Sequence, residues 1–73
     1  MSKPIQQDSY QVALGNVTYA IRLMIGRIGY WGEWYCPLCG KSHNAEPRND
    51  TQGAREAVKR QVELHHFAVH LPR

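Results

Sequence analysis

The feature that most constrains this chain is a pair of cysteines two residues apart, within the segment "WYCPLCGK" at residues 34–41. A chain of 73 residues is expected to bury only about 60% of the surface that it exposes when unfolded. A core this small usually needs a metal, a disulfide or a partner subunit. A disulfide between Cys36 and Cys39 would close a very short loop, which stabilises little in the chain-entropy account. We therefore expect the two thiols to act as metal ligands.

The composition indicates a single intracellular domain that spans residues 1–73. The first ten residues, "MSKPIQQDSY", have no apolar core of the kind that a secretory signal needs, and residues 1–8 are predicted to form a loose polar tail. The most apolar run, residues 12–28, contains Arg22 and Arg27 and is too charged for a membrane span. We expect a cytoplasmic protein, in which thiols stay reduced and paired cysteines serve as metal ligands or catalytic groups.

An amphipathic helix is predicted for the N-terminal part of the chain. Its apolar residues recur at alternating steps of four and three, which places them on one helical face: Tyr10, Leu14, Val17, Ile21, Met24 and Ile28. The same segment also permits a β-hairpin, because Gly15–Asn16 is a turn dipeptide between two runs that favour strands. We favour the helix because its stripe explains all of these positions.

The rest of the chain predicts a hairpin and a second helix. A short strand over residues 34–36, a turn through "CPLCGK" and a return strand over residues 41–44 form a zinc-knuckle β-hairpin. The C-terminal helix begins near Asp50 or Thr51, continues to Leu71 and ends before Pro72. The expected fold class is therefore small α+β: N-terminal helix, zinc-binding hairpin and C-terminal helix.

The C-terminal helix also supplies histidines that suit a zinc site. Zinc in structural sites takes four thiolate and imidazole ligands at the corners of a tetrahedron. His66 and His70 are four residues apart, so they project from one helical face about one turn from each other. Together with the hairpin thiols they predict a single zinc site formed by Cys36, Cys39, His66 and His70.

Two other histidines remain alternatives as ligands. His65 lies in an apolar helical stripe, where a hydrogen-bonded core histidine is the simpler interpretation, but its spacing from His70 also suits zinc. His43 follows the second cysteine closely and could reach the ion from the return strand. The competing interpretations of Cys36 and Cys39 are free thiols or a redox pair, and the βαβ context of a redox pair is not predicted here.

The turn and the histidine pair together resemble the two-cysteine two-histidine zinc finger. The matching segments are "YCPLCGK" at residues 35–41 and "HHFAVH" at residues 65–70. The resemblance implies structural zinc, held by the two cysteines and by two histidines of the C-terminal helix, and in that family the helix often enters the DNA major groove. The segment between Cys39 and His65 is longer than the roughly twelve residues usual there, so DNA reading is not carried over.

The expected function is that of a small non-enzymatic regulatory or adaptor protein that contacts nucleic acid. Four protein ligands leave zinc no open position for water. The net charge of +3, from nine Lys and Arg against six Asp and Glu, permits nucleic-acid contact but does not require it. The alternative is a zinc-stabilised protein-interaction module, such as a phage- or mobile-element-type inhibitor or cofactor of a larger host machine. An exposed aromatic of the segment 30–35 could serve either partner.

Overall fold

The computed structural model describes residues 3–70 as a four-stranded antiparallel sheet with one helix on one of its faces. The strands are β1 (Ile5–Leu14), β2 (Val17–Gly26), β3 (Gly29–Cys36) and β4 (Lys41–Asn44), and the helix α1 (Thr51–His65) continues into a π-helical turn (His66–His70). The strands lie side by side in chain order. Each strand therefore pairs with its sequence neighbour, and β1 and β4 form the two edges.

The predicted N-terminal helix is wrong, because residues 5–26 form the hairpin of β1 and β2. Leu14 pairs with Val17, and the two residues between them form the loop. Gly15 has a φ of 59°, a left-handed conformation that glycine adopts without steric cost and that tight hairpin turns require. Residues 5–8, predicted as part of a loose tail, lie in β1, and residues 1–2 of that tail lie outside the described residues.

Part of the apolar spacing that predicted a helix also follows from the β1–β2 hairpin. Val17, Tyr19, Ile21 and Leu23 are buried and alternate with exposed residues along β2, which is the period-two pattern of a half-buried strand. Because strand side chains alternate between faces, the steps of four from Tyr10 to Leu14 and from Val17 to Ile21 are each two strand periods on the inner face. Met24 is out of this alternation, and Ile28 is exposed between β2 and β3. The step of three from Leu14 to Val17 crosses the turn. The spacing over residues 10–21 therefore fits both structures.

The predicted return strand and C-terminal helix are present. β4 covers residues 41–44 as expected, whereas β3 is longer than the predicted strand and begins at Gly29. Asp50 caps α1, since its Oδ1 accepts a hydrogen bond of 2.7 Å from the backbone N–H of Gly53. The predicted helix end at Leu71 and Pro72 lies outside the described residues.

The core lies between α1 and the inner faces of β2 and β3. Val58 and Val62 of α1 are fully buried against Tyr19, Ile21 and Trp34. The closest approach is at Gly32, where an added Cβ would lie 2.5 Å from the Cβ of Val58, a distance that steric repulsion forbids. The absence of a side chain at Gly32 therefore allows α1 to pack directly against β3.

Polar contacts hold both sides of the helix to the sheet. The indole Nε1 of Trp34 donates a hydrogen bond of 2.6 Å to Gln61 Oε1. At the other end of α1, Arg55 donates to Asp8 Oδ2 at 2.7 Å, and this hydrogen bond lowers the pKa of Asp8. Among the described residues, no helix has the length and apolar character needed to cross a membrane.

The close contact at Gly32 predicts that Gly32→Ala destabilises the fold. The new methyl group overlaps Val58, so the helix must shift or the core must distort, and we expect the free energy of unfolding to fall by about 1–3 kcal/mol. Urea unfolding followed by circular dichroism measures this change. The control is Ala20→Val, which adds volume at an exposed position of β2. Equal stability of Gly32→Ala and the parent chain would contradict the packing of α1 on β3.

Candidate metal centre

Four side chains from the hairpin turn and the helix end converge on one point. The ligand atoms of Cys36, Cys39, His65 and His70 all lie within 4.8 Å of one another. His70 Nε2 lies 3.2 Å from Cys36 Sγ and 3.5 Å from Cys39 Sγ. His65 Nε2 lies 3.5 Å from Cys39 Sγ and 3.0 Å from His70 Nε2. The cluster thus contains two sulfur and two nitrogen donors that face each other.

These separations suit a single tetrahedral ion. Zinc bonds of about 2.3 Å to sulfur and about 2.0 Å to nitrogen give ligand–ligand distances of roughly 3.3–3.8 Å around a tetrahedron. Two of the four observed distances, both 3.5 Å, fall in this range, and the other two are slightly shorter at 3.2 and 3.0 Å. The four residues therefore form a candidate metal site with two thiol and two imidazole ligands.

The hairpin turn positions the two thiols. Cys36 ends β3 and is buried, whereas Cys39 lies in the turn and is exposed. The backbone N–H of Cys39 points at Cys36 Sγ across 3.4 Å, so the turn itself offers a donor to a thiolate. Gly40 adopts a φ of 69° and donates its N–H to the carbonyl oxygen of Cys36 at 2.8 Å. The turn is thereby closed with both sulfurs on the side that faces the helix.

The π-helical turn decides which histidines enter the cluster. In an α-helix, residues four apart share a face, and that spacing pairs His66 with His70. A π-helical turn bonds residues five apart instead, and residues 66–70 adopt it. His65 and His70 are five apart, and their Nε2 atoms approach to 3.0 Å. The widened turn therefore brings His65, not His66, beside His70 and the two thiols.

His66 occupies the core position instead. Its side chain is buried, and its Nδ1 lies 2.9 Å from the hydroxyl of Tyr19. Its ring lies beside the β1–β2 turn, since an added Cβ at Gly15 would be 3.7 Å from His66 Nε2. His66 is thus a hydrogen-bonded core histidine, the role that the sequence analysis gave to His65.

Aromatic rings of β3 and β4 pack next to the cluster. Trp34 contacts His65, with ring centroids 5.0 Å apart, and stacks on His43 at 4.5 Å. His43 is opposite Trp34 on β4 and lies outside the four-residue cluster, with its ring centroid 5.8 Å from that of His65. The structure therefore gives His43 a packing role behind the His65 ring.

The pKa shifts of His65 and Cys39 act in opposite directions on metal binding. Burial lowers the pKa of His65, and so do the neighbouring imidazoles of His70, His43 and His66. The neutral imidazole, which is the form that binds metal, is thereby favoured. Desolvation raises the pKa of Cys39, and the adjacent Cys36 raises it further. Two thiolates this close repel each other, and a bound cation would remove that repulsion.

Three of the four predicted ligands thus meet in the structure, with His65 as the fourth member of the cluster. The sequence carried a signal for this pairing, because the spacing of His65 and His70 lies within the range seen for zinc sites. No protein-family model matches this chain, and no curated protein or solved structure matches it either. The support for a metal site is therefore the geometry of these four side chains.

The two adjacent histidines are predicted to give opposite phenotypes. His65→Ala removes a member of the cluster, so we expect the variant to bind less metal than the parent chain. His66→Ala leaves the cluster complete but leaves the buried hydroxyl of Tyr19 without its partner, which should cost about 1–3 kcal/mol of stability. Metal content by mass spectrometry and unfolding in urea separate the two effects. Loss of metal in His66→Ala with retention in His65→Ala would refute this assignment.

Proposed function

We propose that this chain is a non-enzymatic binding module stabilised by zinc, whose outer sheet face contacts nucleic acid. The observation that carries the proposal is the convergence of four protein donors on one point. Four such ligands complete a tetrahedral coordination shell and leave no position for a substrate or a reactive water. The ion would then serve the fold, and the function would belong to the exposed surface.

Zinc suits this donor set better than the other common biological cations. Calcium and magnesium prefer oxygen ligands, whereas two thiolates with two imidazoles in a tetrahedron are typical of structural zinc. Cys36 and Cys39 would hold the ion from the hairpin, and His65 and His70 would hold it from the helix end. Bound zinc supplies a rigid cross-link between these two parts of a small fold.

This role predicts one zinc ion per chain and coupling of the ion to the hairpin turn. Metal analysis should give about one ion per chain. After chelation at neutral pH, we expect amide protection to disappear first in the turn over residues 37–40 and in the π-helical turn, because zinc links these two segments. Hydrogen exchange followed by NMR, with and without chelator, measures this loss.

A matched control separates the metal from general destabilisation. Cys39→Ser replaces an exposed cluster member by a weaker ligand of similar size, so it should reproduce the exchange pattern of the chelated parent chain. Amides of β1 and β2 should stay protected longer in both samples, since these strands contribute no ligand. Full protection of the hairpin turn in metal-free protein would contradict a structural role for zinc.

The outer face of the sheet is the surface best suited to nucleic acid. α1 covers the inner face, and the outer face carries mostly small or polar side chains. Tyr35 is exposed there and pairs with Ala20 and Ser42 on its two neighbouring strands. An exposed tyrosine between small residues offers a flat ring on which an unpaired base can stack. Nearby Arg22 is also exposed, although Glu33 accepts a hydrogen bond from it.

The charge of the chain fits single-stranded nucleic acid in preference to duplex. A net charge of +3 is modest for a protein that tracks a phosphate backbone, and stacking does not depend on charge density. Contacts to two or three phosphates would make the logarithm of affinity fall with the logarithm of salt at a slope of about −1.4 to −2. The proposal is therefore a base-stacking surface with limited electrostatic support.

Tyr35→Ala should weaken single-strand binding about tenfold, since one base stacked on an aromatic ring contributes about 1–3 kcal/mol. Fluorescence anisotropy with a labelled pyrimidine oligonucleotide at several salt concentrations measures the affinity. The matched control is Phe67→Ala, which removes another exposed aromatic but not from the sheet. No binding by the parent chain at low salt, or equal loss in both variants, would contradict the proposed surface.

One observation favours a protein partner as the second candidate. Leu64 and Phe67 are large apolar residues that are more than half exposed. They lie near His65 and His70 of the candidate metal site. They lie three residues apart on the helix, so they are neighbours on its surface. Exposed aromatic anchors of this kind are common in protein interfaces. Capture of a host protein that Phe67→Ala abolishes and Tyr35→Ala retains would favour this candidate over nucleic acid.

A further inference from the structure

The two edges of the sheet differ in how well they are protected from pairing with another strand. β4 is only four residues long and begins with Lys41, and both short length and lysine discourage edge-to-edge pairing. β1 is ten residues long and pairs with β2 on one side. Its second half, residues 9–14, contains no proline and no charged residue. Within the described residues, the part of β1 that follows the bulge between Gln6 and Asp8 is therefore the edge that lacks these protective features.

The free hydrogen-bonding groups of β1 can be assigned from its register with β2. Leu14 and Val17 flank a two-residue loop, and residues in that position exchange both backbone hydrogen bonds. The pattern alternates along an antiparallel pair, so Val12 and Tyr10 also bond to β2. The backbone groups of Ser9, Gln11 and Ala13 consequently point away from the sheet. These three residues present a row of donors and acceptors along the open edge, in which the Ser9 N–H donates to the neighbouring Asp8 Oδ1 at 2.8 Å.

The inner face next to this edge is also incompletely covered. Tyr10 and Val12 are only half-buried, whereas the inner residues of β2 are buried. A cleft of about 250 Å³ lies between β1 and α1, lined by Tyr10, Val12, Arg55, Glu56 and Lys59. Its floor is apolar and its rim on α1 carries charges of both signs. The edge thus offers free backbone groups beside unfilled apolar surface.

We propose that β1 pairs antiparallel with β1 of a second copy of this chain, around a twofold axis at Gln11. In this register Gln11 pairs with the partner's Gln11, and Ser9 pairs with the partner's Ala13. These are the residues whose backbone groups point outward, so the pairing gives each of them a partner. The Ser9 N–H would exchange its hydrogen bond to Asp8 Oδ1 for one to the partner's Ala13. Tyr10 then lies opposite the partner's Val12, an aromatic–β-branched pair that stabilises antiparallel sheets. The joined sheet would have eight strands.

The charges on the cleft rim suit this symmetric arrangement. α1 runs in the same direction as β1, since Thr51 contacts Gln7 near one end and His66 lies beside Gly15 near the other. Glu56 and Lys59 both line the cleft and follow each other along α1. The twofold axis reverses this order in the partner, so residues of opposite sign lie at the same level along the two copies of α1, although α1 itself packs mainly on β3. Residues 9–13 of β1 carry no charged side chain, so no like charges meet in the paired segment.

The symmetry also explains why a second copy fits better than an open chain of copies. A twofold interface uses the same edge on both subunits and closes on itself. The remaining edge of each subunit is the short, lysine-bearing β4, which discourages further growth. The prediction is a dimer, and not a longer assembly.

Disulfide trapping tests the register in the zinc-loaded protein. Gln11→Cys places a thiol at the axis, where paired Cα atoms lie about 5.5 Å apart and a disulfide can form. Ser9→Cys is the matched control, because its partner across the axis is Ala13 and not another cysteine. Under mild oxidation we expect a covalent dimer of Gln11→Cys, at least tenfold more than of Ser9→Cys. Equal cross-linking of the two variants would overturn the register.

Sedimentation equilibrium tests the interface itself. We expect the mass of the parent chain to rise from 8.4 kDa towards twice that value as concentration increases. Gln11→Pro removes an outward N–H and should raise the dimer dissociation constant at least tenfold, whereas Gln11→Ala keeps the N–H and should dimerise. Zinc content and circular dichroism confirm that each variant is folded. A parent chain that stays monomeric at millimolar concentration, or a folded Gln11→Pro that dimerises normally, would overturn the proposal.

Discussion

The contact between the cysteine turn and the end of the helix is the interaction on which the rest of this structure depends. Cys36 ends the central strand β3, and His65 and His70 flank the helix end, so their cluster joins the two layers of the fold at one point. The core between these layers is small, and a core of this size leaves little margin of stability. A metal ion at the junction would fix the distance and orientation of helix and sheet together.

The π-helical turn is the local feature that makes this junction possible. A regular α-helix would direct His66 and His70 to the same face, and the pairing of Tyr19 with His66 would then compete with the cluster. Widening the last turn separates the two tasks, because His66 bonds to Tyr19 in the core while His65 and His70 face the thiols. Such π-helical segments are uncommon and occur often at functional sites. Here the distortion places one of two adjacent histidines in the core and the other beside the two thiols.

The same arrangement of helix and sheet leaves two surfaces accessible. α1 covers the inner faces of β2 and β3 but covers β1 only in part, so the outer face and the β1 edge remain accessible. Tyr35 lies on that outer face, and Gln11 lies on the edge. A dimer through β1 would extend the outer face into one continuous sheet, so it would place two copies of Tyr35 on a single surface. The nucleic-acid surface at Tyr35 and the dimer interface at β1 can therefore be tested separately and can exist in the same molecule.

The sequence alone determined the chemistry of the site and the elements next to it. The Cys-x2-Cys turn, the return strand and the capped C-terminal helix follow from local residue types, whose turn and capping preferences act within a few residues. Tertiary structure decided the rest. The apolar spacing over residues 10–21 fits both a helix and a hairpin, and the burial of one β2 face against α1 selects the hairpin. The choice of His65 over His66 likewise rests on a widened helical turn, which the sequence spacing does not specify, and on Tyr19, a residue distant in sequence that holds His66 in the core.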